Sequence, residues 1–254
     1  KEIIEEALYL LGRLHETMGE LPQAYSAYQE LRRASPLSPW SAMARKEVSR
    51  LRQEQPRLFG LTRAEALLDE GELLDRERLY QEAEKVYRTL VDLAPRGPLR
   101  PRFLLGLANV LRAARKREEA IPVLTEIVEK YPGSSQGPNA LYRLAEIYWN
   151  RDENVKALDY FKQLKDRYPK SPFNDLAHFA SARIYESLGK PGDALRLYRE
   201  FAKRFPDSPM REEAQWRLAW IRYLQGNYER AYAAFRRLAA DNGEGRYKTG
   251  AIYW

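Results

Sequence analysis

Apolar and small residues recur along the chain at the three- and four-residue spacing of amphipathic α-helices. Segments such as RAEALLDEGELLDR and YQEAEKVYRTLV show this spacing, with charged residues at the positions between. Turn segments such as SLGKPGD and LQGNYER separate neighbouring helical segments, and Gly189 and Gly226 in them can adopt a positive φ. The pattern therefore predicts an all-α protein of about 13 helices in antiparallel pairs, without a β-sheet.

The helical pairs repeat with a constant step of 37 residues. The first residues of the units in step are Ala64, Pro101, Pro138, Asp175 and Glu212, and an earlier unit out of step begins at Glu5. Position 8 is always small, and positions 24 and 27 are always large and apolar or aromatic. Position 20 is always alanine: Ala24, Ala83, Ala120, Ala157, Ala194 and Ala231. Proline ends the second helix at position 32 in every unit but the last: Pro36, Pro95, Pro132, Pro169 and Pro206.

These columns have a simple packing interpretation. Small residues at positions 8 and 20 let the two helices of a unit, helix A and helix B, approach closely, and the large residues fill the space against the next unit. One unit cannot bury its own apolar face, so stacking of units forms the core. We therefore expect an α-solenoid in which Ala157 and Ala194 are buried between helices A and B; its right-handed twist is implied by the resemblance of these columns to the tetratricopeptide repeat.

The rhythm breaks once near the N-terminus. The step from Glu5 to Ala64 is 59 residues, and the excess segment PWSAMARKEVSRLRQEQ is interpreted as one extra helix, followed by the turn PRLFGLT. The predicted domains are residues 1–60, one repeat plus the extra helix, and residues 61–254, the tandem repeats. Residues 54–62 are interpreted as a rigid packed insert, with a hinge as the alternative. The final KTGAIYW fits the start of a further helix A, so we expect the natural protein to continue.

Charge divides the chain unevenly. The 254 residues carry a net charge of +7, made of −1 in residues 1–100 and +8 in residues 101–254. A basic surface favours anionic partners, and a solvated helix surface without such a partner is the alternative. The chain has no cysteine, and no run of apolar residues approaches the length that spans a membrane.

No sequence motif for catalysis is present. There is no glycine-rich phosphate loop, HExxH, GxSxG or EF-hand loop, and we predict no catalytic residue, cofactor, metal or nucleic-acid partner for this chain. His15 and His178 fall at helix-packing positions, where a structural histidine is expected.

A candidate binding surface follows from the repeat. The repeat columns resemble those of tetratricopeptide arrays, and that resemblance implies that helix A lines the concave wall with its positions 2, 6, 9, 12 and 13, here called the helix-A face. The candidate residues on this face are Arg102, Asn109, Arg112, Asn139, Arg143, Trp149, Arg183, Arg217, Trp220 and Tyr223. These side chains suit carboxylates, sugar hydroxyls and sugar-ring faces. The same positions hold Glu146, Glu186 and Glu213, so the alternative is that the arginines pair with glutamates and the aromatic rings pack against neighbouring helices.

The columns of small, aromatic, Ala and Pro residues resemble the tetratricopeptide repeat, whose usual length is 34 residues. The linkers YPGS, YPKSP and FPDSP resemble repeats of the Gram-negative cell envelope. The segments ASPLSPWSAMARKEVSRL, LTRAEALLDEGELLDRERLYQEAEKVYRTLV and KTGAIYW resemble the superhelical, non-catalytic region of soluble lytic transglycosylases. That resemblance implies a periplasmic scaffold that positions peptidoglycan or a protein for a catalytic domain following in the full-length chain. The family's catalytic glutamate lies in that domain, so no catalytic residue is carried over.

Two other functions remain open at this stage. The first is a cell-envelope adaptor for protein–protein interaction in cell division or outer-membrane assembly. The second is a cytosolic peptide-binding module, which usually has Lys and Asn on helix A arranged as a two-carboxylate clamp; the sequence shows no clean arrangement of this kind.

Overall fold

The computed structural model describes residues 2–54, 63–94, 96–240 and residue 247. The described residues form thirteen α-helices and no strand. The helices are α1 (Glu2–Thr17), α2 (Leu21–Ala34), α3 (Pro39–Glu54), α4 (Arg63–Arg76), α5 (Tyr80–Leu93), α6 (Arg100–Ala113), α7 (Arg117–Lys130), α8 (Gly137–Trp149), α9 (Asn154–Arg167), α10 (Asn174–Ser187), α11 (Pro191–Arg204), α12 (Arg211–Leu224) and α13 (Tyr228–Ala240). The all-helical prediction is therefore confirmed.

Each predicted repeat is a packed pair of helices. The A and B helices are α1 and α2, α4 and α5, α6 and α7, α8 and α9, α10 and α11, and α12 and α13, and the two members of every pair contact each other. The extra helix predicted after the first repeat is α3, which packs on α2. The helix–turn–helix repeats predicted from the sequence are thus the observed ones.

The repeat columns coincide with the buried core. The alanine at position 20 is at most 1% exposed in all six units. The large residues at position 24 are at most 4% exposed, and Tyr28, Phe161 and Tyr198 are 0% exposed. Because alanine ends at Cβ, the A and B helices approach closely at this point, and the side chain at position 24 closes the space beside it.

In every repeat, one residue of the turn between helices A and B has a positive φ, in the left-handed region of backbone conformation. Gly189 (φ 65°) and Gly226 (φ 73°) adopt the positive φ predicted from the sequence. The equivalent residues of the other units are Gly19, Arg78, Arg115 and Asp152, with φ between 59° and 76°. Three units therefore keep this turn with a side chain that disfavours it, because Cβ crowds the backbone at positive φ.

Contacts divide the chain into two compact units, each made of several repeats. The first unit is residues 1–134 with α1–α7, and the second unit is residues 135–254 with α8–α13. The predicted boundary after residue 60 falls in a part of the chain that is not described, and it stays a prediction. Residues 55–62 of the predicted insert or hinge, Pro95 and the final KTGAIYW likewise lie outside the described residues.

A buried ionic cluster holds the irregular start of the first unit together. Arg32 on α2 is fully buried; its Nε donates to Glu77 Oε1 at 2.7 Å, and its Nη atoms donate to the two carboxylate oxygens of Glu70 at 2.9 and 3.0 Å. From α3, Arg45 donates to Glu77 and Arg52 to Glu70, each at 3.0 Å. Burial alone would lower the pKa of Arg32, but the hydrogen bonds and charges of the two glutamates outweigh it and raise that pKa. The guanidinium therefore stays charged, and α2, α3 and α4 are joined through it.

The second unit buries a histidine at the packing position that the sequence predicts. His178 on α10 is 6% exposed and lies against the ring of Phe205 at 5.3 Å between centroids. Burial and the nearby cations Lys165 and Arg204 lower the pKa of His178 from 6.5 to about 4. Folding thus favours the neutral imidazole.

The first prediction tests the close approach of helices A and B. Ala157→Leu or Ala194→Leu should destabilise the fold by about 1–3 kcal/mol, because the added atoms have no space between the helices. Ala233→Leu on the exposed face of α13 is the control and should have little effect. Urea unfolding followed by circular dichroism measures the free energies; a neutral result at both buried sites would contradict the packing described here.

A second prediction concerns the turn. Arg115 is exposed and has φ 63°, so Arg115→Gly should stabilise the protein by about 0.5–1 kcal/mol. Gly189→Arg places the same side chain in the equivalent turn and should destabilise by a similar amount. Thermal unfolding of both variants checks the pair; equal melting temperatures for Gly189→Arg and the parent chain would refute the strain.

A third prediction follows from His178. Its folded pKa lies below its unfolded value, so the unfolded state binds more protons between about pH 6.5 and pH 4. The contribution of neutral His178 to the free energy of unfolding should be fully present above about pH 6.5. It should fall by up to about 3 kcal/mol as the pH drops towards 4. His178→Phe should flatten this dependence, whereas His15→Gln should retain it. Urea unfolding at pH 7 and pH 5 makes the comparison, and identical slopes for His178→Phe and the parent chain would exclude His178 as the source.

Candidate functional site

The helix-A face of the first unit is charge-paired. Arg102 on α6 is half-exposed and its Nη2 donates to Glu72 Oε1 on α4 at 2.8 Å. Asn109 and Arg112, further along α6, are half-buried, and Asn109 Oδ1 is buried without a hydrogen-bond partner. The three predicted residues of this unit therefore lie on one helix, and Arg102 forms an ion pair with Glu72 on α4.

On α8, three residues of the face form one local group. Arg143 Nε donates to Asn139 Oδ1 at 3.2 Å, and Arg143 Nη1 donates to Glu146 Oε2 at 2.7 Å. The guanidinium also lies over the Tyr142 ring, 5.6 Å from its centroid. Trp149 lies half-exposed at the end of the same helix. The charge of Arg143 is thus balanced within its own helix.

A larger network joins α10 to α12. Arg217 Nε donates to Glu213 at 2.8 Å, and its Nη1 reaches both oxygens of Glu186 at 3.2 Å. Arg183 Nη1 donates to Glu213 at 3.4 Å. Two arginines and two glutamates give this network no net charge, and each group has a partner across the helix pair.

The network is anchored in the core. Tyr198 on α11, at position 24 of its repeat, is fully buried, and its hydroxyl donates to Glu186 Oε2 at 2.7 Å. Burial, followed by the adjacent Glu186 carboxylate, raises the pKa of Tyr198 above its ordinary value. Burial lowers the pKa of Arg217, but Glu213, Tyr198 and Glu186 together raise it by more. The hydroxyl of Tyr198 therefore stays protonated and the guanidinium of Arg217 stays charged at neutral pH.

The sequence predicted the arginine positions but not their full environment. Arg102, Arg143, Arg183 and Arg217 each lie beside a carboxylate. Glu146, Glu186 and Glu213 at the same helix positions were the signal for this pairing. The contribution of Tyr198 was missed, because its position in the repeat identifies it only as a core residue.

An aromatic row lies at the end of the second unit. Trp216 and Trp220 stack with centroids 6.4 Å apart, Trp220 and Tyr223 stack at 5.5 Å, and Tyr223 meets Tyr228 edge-on at 5.5 Å. The ring of Phe235 supports Trp216 from the core at 5.0 Å. Trp220 and Tyr223 were predicted for the face, and Trp216 and Tyr228 extend them into a row of four rings.

This part of the face offers two kinds of contact side by side. The paired arginines and glutamates on α10 and α12 present donors and acceptors in fixed positions, and the half-exposed rings of the aromatic row present flat apolar area. Charged groups held by partners lose little freedom on binding, and large aromatic side chains often dominate the binding energy at interfaces. The arrangement suits a ligand with polar groups of both signs and an apolar part.

Metal and membrane sites were searched over the described residues only. Within those residues, no three His, Cys, Asp or Glu side chains are grouped closely enough to hold a metal ion. None of the described helices combines the length and the apolar character that crossing a bilayer requires.

Comparison with solved structures identifies similar folds. RapI in its apo form matches with a TM-score of 0.73 and 13% identity over 91% of this chain and 68% of the RapI chain. PilW, described as a widely conserved type IV pilus biogenesis factor, matches with a TM-score of 0.58 and 14% identity over 98% of both chains. YrrB, described as a tetratricopeptide repeat protein with an unusual peptide-binding site, matches with a TM-score of 0.55 and 14% identity over 81% of this chain and 97% of YrrB. At these identities the likeness concerns the fold alone.

The comparison with curated proteins found no match. Family models of the tetratricopeptide repeat match residues 68–135, 105–172 and 179–245, and a further model of the same repeat matches residues 6–38. These matches follow the repeat columns and cover more than half of the chain. The chain belongs to the tetratricopeptide repeat family.

Proposed function

We propose that this chain is a protein-binding repeat scaffold, without a catalytic role of its own, whose helix-A face in the second unit takes a peptide segment of a partner protein. The observation that carries the proposal is the neutral network of Arg183, Glu186, Glu213 and Arg217 on α10 and α12, which lies beside the aromatic row. A peptide supplies amide groups, charges of both signs and apolar side chains, so it matches every part of this surface.

The charge pairing also ranks the possible ligands. A polyanion would have to displace Glu186 or Glu213 from arginines that they already contact, or bind beside their negative charges. A peptide with both signs of charge can hydrogen-bond to the network without breaking it. The fold likeness to YrrB supports a peptide ligand, because that protein is described as having a peptide-binding site.

We further propose that this scaffold is an adaptor of the cell envelope, with a periplasmic location in a Gram-negative cell. The linkers YPGS, YPKSP and FPDSP support this setting by their resemblance to envelope repeats. The fold likeness to PilW over 98% of both chains supports it further, because PilW is described as a pilus biogenesis factor.

A second candidate function is favoured by the aromatic row. The flat rings of Trp216, Trp220 and Tyr223 suit the apolar faces of sugar rings, and peptidoglycan is a sugar polymer with peptide stems. In this alternative the chain is the non-catalytic scaffold of a lytic transglycosylase-like protein, and it positions a glycan strand for a catalytic domain elsewhere in the full-length chain.

The fourth prediction tests the face with one variant and one matched control. Trp220→Ala should weaken binding by about 30-fold, since a central Trp in an interface is worth about 2 kcal/mol. Tyr232→Ala should bind normally, because Tyr232 is an exposed ring on α13 outside the aromatic row. The probe is a peptide selected on the immobilised chain from a displayed random library, and fluorescence anisotropy measures its affinity.

The same two variants separate the two candidate functions. Co-sedimentation with purified sacculi should show no loss on Trp220→Ala if the ligand is a peptide of a partner protein. A loss with sacculi but not with the selected peptide would favour the glycan-positioning function. Equal peptide affinities for Trp220→Ala and Tyr232→Ala would exclude the helix-A face as the peptide site.

A further inference from the structure

A separate cavity of about 490 Å³ lies in the second unit between α11, α12 and α13. Its wall carries four arginines: Arg199 from α11, Arg211 and Arg222 from α12, and Arg237 from α13. Leu218 and Leu238 contribute apolar surface to the same cavity. Three successive helices thus direct positive charge to one groove, which we call the arginine groove.

Among the described residues, the lining of the arginine groove supplies no counter-charge. None of the described residues that line it is acidic. Among the residues that the structure describes, no ion pair is formed by Arg199, Arg211, Arg222 or Arg237. The Nε atom of Arg211 is buried without a hydrogen-bond partner. This differs from Arg217 on the same helix, which contacts two glutamates.

Like charges in the groove disfavour each other. Burial, and then the positive charges of Arg199, Arg230 and Arg237, lower the pKa of Arg222. An anion placed among these groups would remove the repulsion and supply the missing hydrogen-bond acceptor for Arg211. Within the described residues, the positive charges of the groove are therefore not neutralised.

The groove lies opposite the helix-A face. The groove is lined from α12 by residues at repeat positions 4, 7 and 11, which are Gln215, Leu218 and Arg222. The helix-A face uses positions 2, 6, 9, 12 and 13, and successive residues turn by about 100° around a helix. The two sets therefore point to opposite sides of α12, and a ligand in one site leaves the other open.

An equivalent cavity one repeat earlier provides an internal comparison. It has a volume of about 570 Å³ between α9, α10 and α11, and His178, Ser181 and Tyr185 line it from the same positions 4, 7 and 11. Its wall mixes lysines and arginines with Asp159, Asp166 and Glu200. The same kind of cavity thus occurs in two successive repeats, and among the described lining residues of these two cavities only the arginine groove has no acidic side chain.

We propose that the arginine groove binds an acidic peptide segment of a partner protein, with its carboxylates on the four guanidinium groups and its apolar side chains on Leu218 and Leu238. The guanidinium fork matches a carboxylate with two parallel hydrogen bonds. The apolar wall selects a peptide over an inorganic anion, because only the peptide has hydrocarbon to bury there. This site does not depend on the function proposed for the helix-A face.

The fifth prediction compares two neighbouring arginines of α13. Arg237 lines the groove and Arg236 does not, although both are exposed and each substitution by glutamine removes one positive charge. Arg237→Gln should weaken binding of a short acetylated peptide of alternating glutamate and leucine pairs by about tenfold or more, through loss of a charged hydrogen bond. Arg236→Gln should change the affinity by less than about twofold. Fluorescence anisotropy on the whole chain measures both.

Further measurements test which chemical groups of the ligand are recognised and which residues bind it. The same peptide with glutamine in place of glutamate should not bind, and sodium tripolyphosphate should compete only weakly. Arg222→Gln should reproduce the loss seen with Arg237→Gln, and circular dichroism checks that both variants fold. Equal weakening by Arg236→Gln and Arg237→Gln would overturn the proposal, as would competition by tripolyphosphate at the affinity of the peptide.

The two sites fail or succeed separately. Trp220→Ala should leave the acidic peptide bound, and Arg237→Gln should leave the library-selected peptide bound. Loss of acidic-peptide binding on Trp220→Ala would move that ligand to the helix-A face and refute the groove as its site.

Discussion

The close contact of helices A and B at the alanine of position 20 is the constraint on which the other features depend. With no atoms beyond Cβ between the helices, the aromatic ring at position 24 reaches through the pair towards the far side of helix A. Tyr28 and Tyr198 donate their hydroxyl groups to Glu16 and Glu186, which occupy position 12 of their A helices, at 2.6 and 2.7 Å. Glu186 in turn holds Arg217. The core packing thereby fixes the electrostatics of the helix-A face.

Features that repeat were predictable from the sequence. The buried columns and the glycine turns recur in unit after unit, so one physical explanation applies at many places and chance agreement is excluded. The positive φ of Arg78, Arg115 and Asp152 could not be predicted from residue type, and only their register with Gly189 and Gly226 reveals it. In a repeat protein, register is thus a stronger guide to backbone conformation than the residue itself.

Features that occur once were not predictable. Each helix-A arginine could be assigned to a face, but the sequence does not show whether its partner lies in its own helix or in a neighbouring repeat. Arg143 pairs with Glu146 on the same helix, whereas Arg183 pairs with Glu213, 30 residues away. The arginine groove draws Arg199 and Arg237 from different repeats, and no sequence period connects them. Arg32 looks like a surface residue in the sequence ELRRAS, yet it is fully buried. Charge placement in three dimensions, rather than hydrophobic pattern, decides these features.

The buried ionic cluster of the first unit also bears on how the repeats find their correct neighbours during folding. The same apolar columns recur at the other junctions, so these offer similar packing surfaces to one another. The junction at Arg32 differs, because docking against any surface without Glu70 and Glu77 would leave a buried charge uncompensated, at about 3–5 kcal/mol. The cluster thereby makes the packing of α4 on α2 and α3 specific, and the repeats that follow α4 in the chain pack from this junction onward.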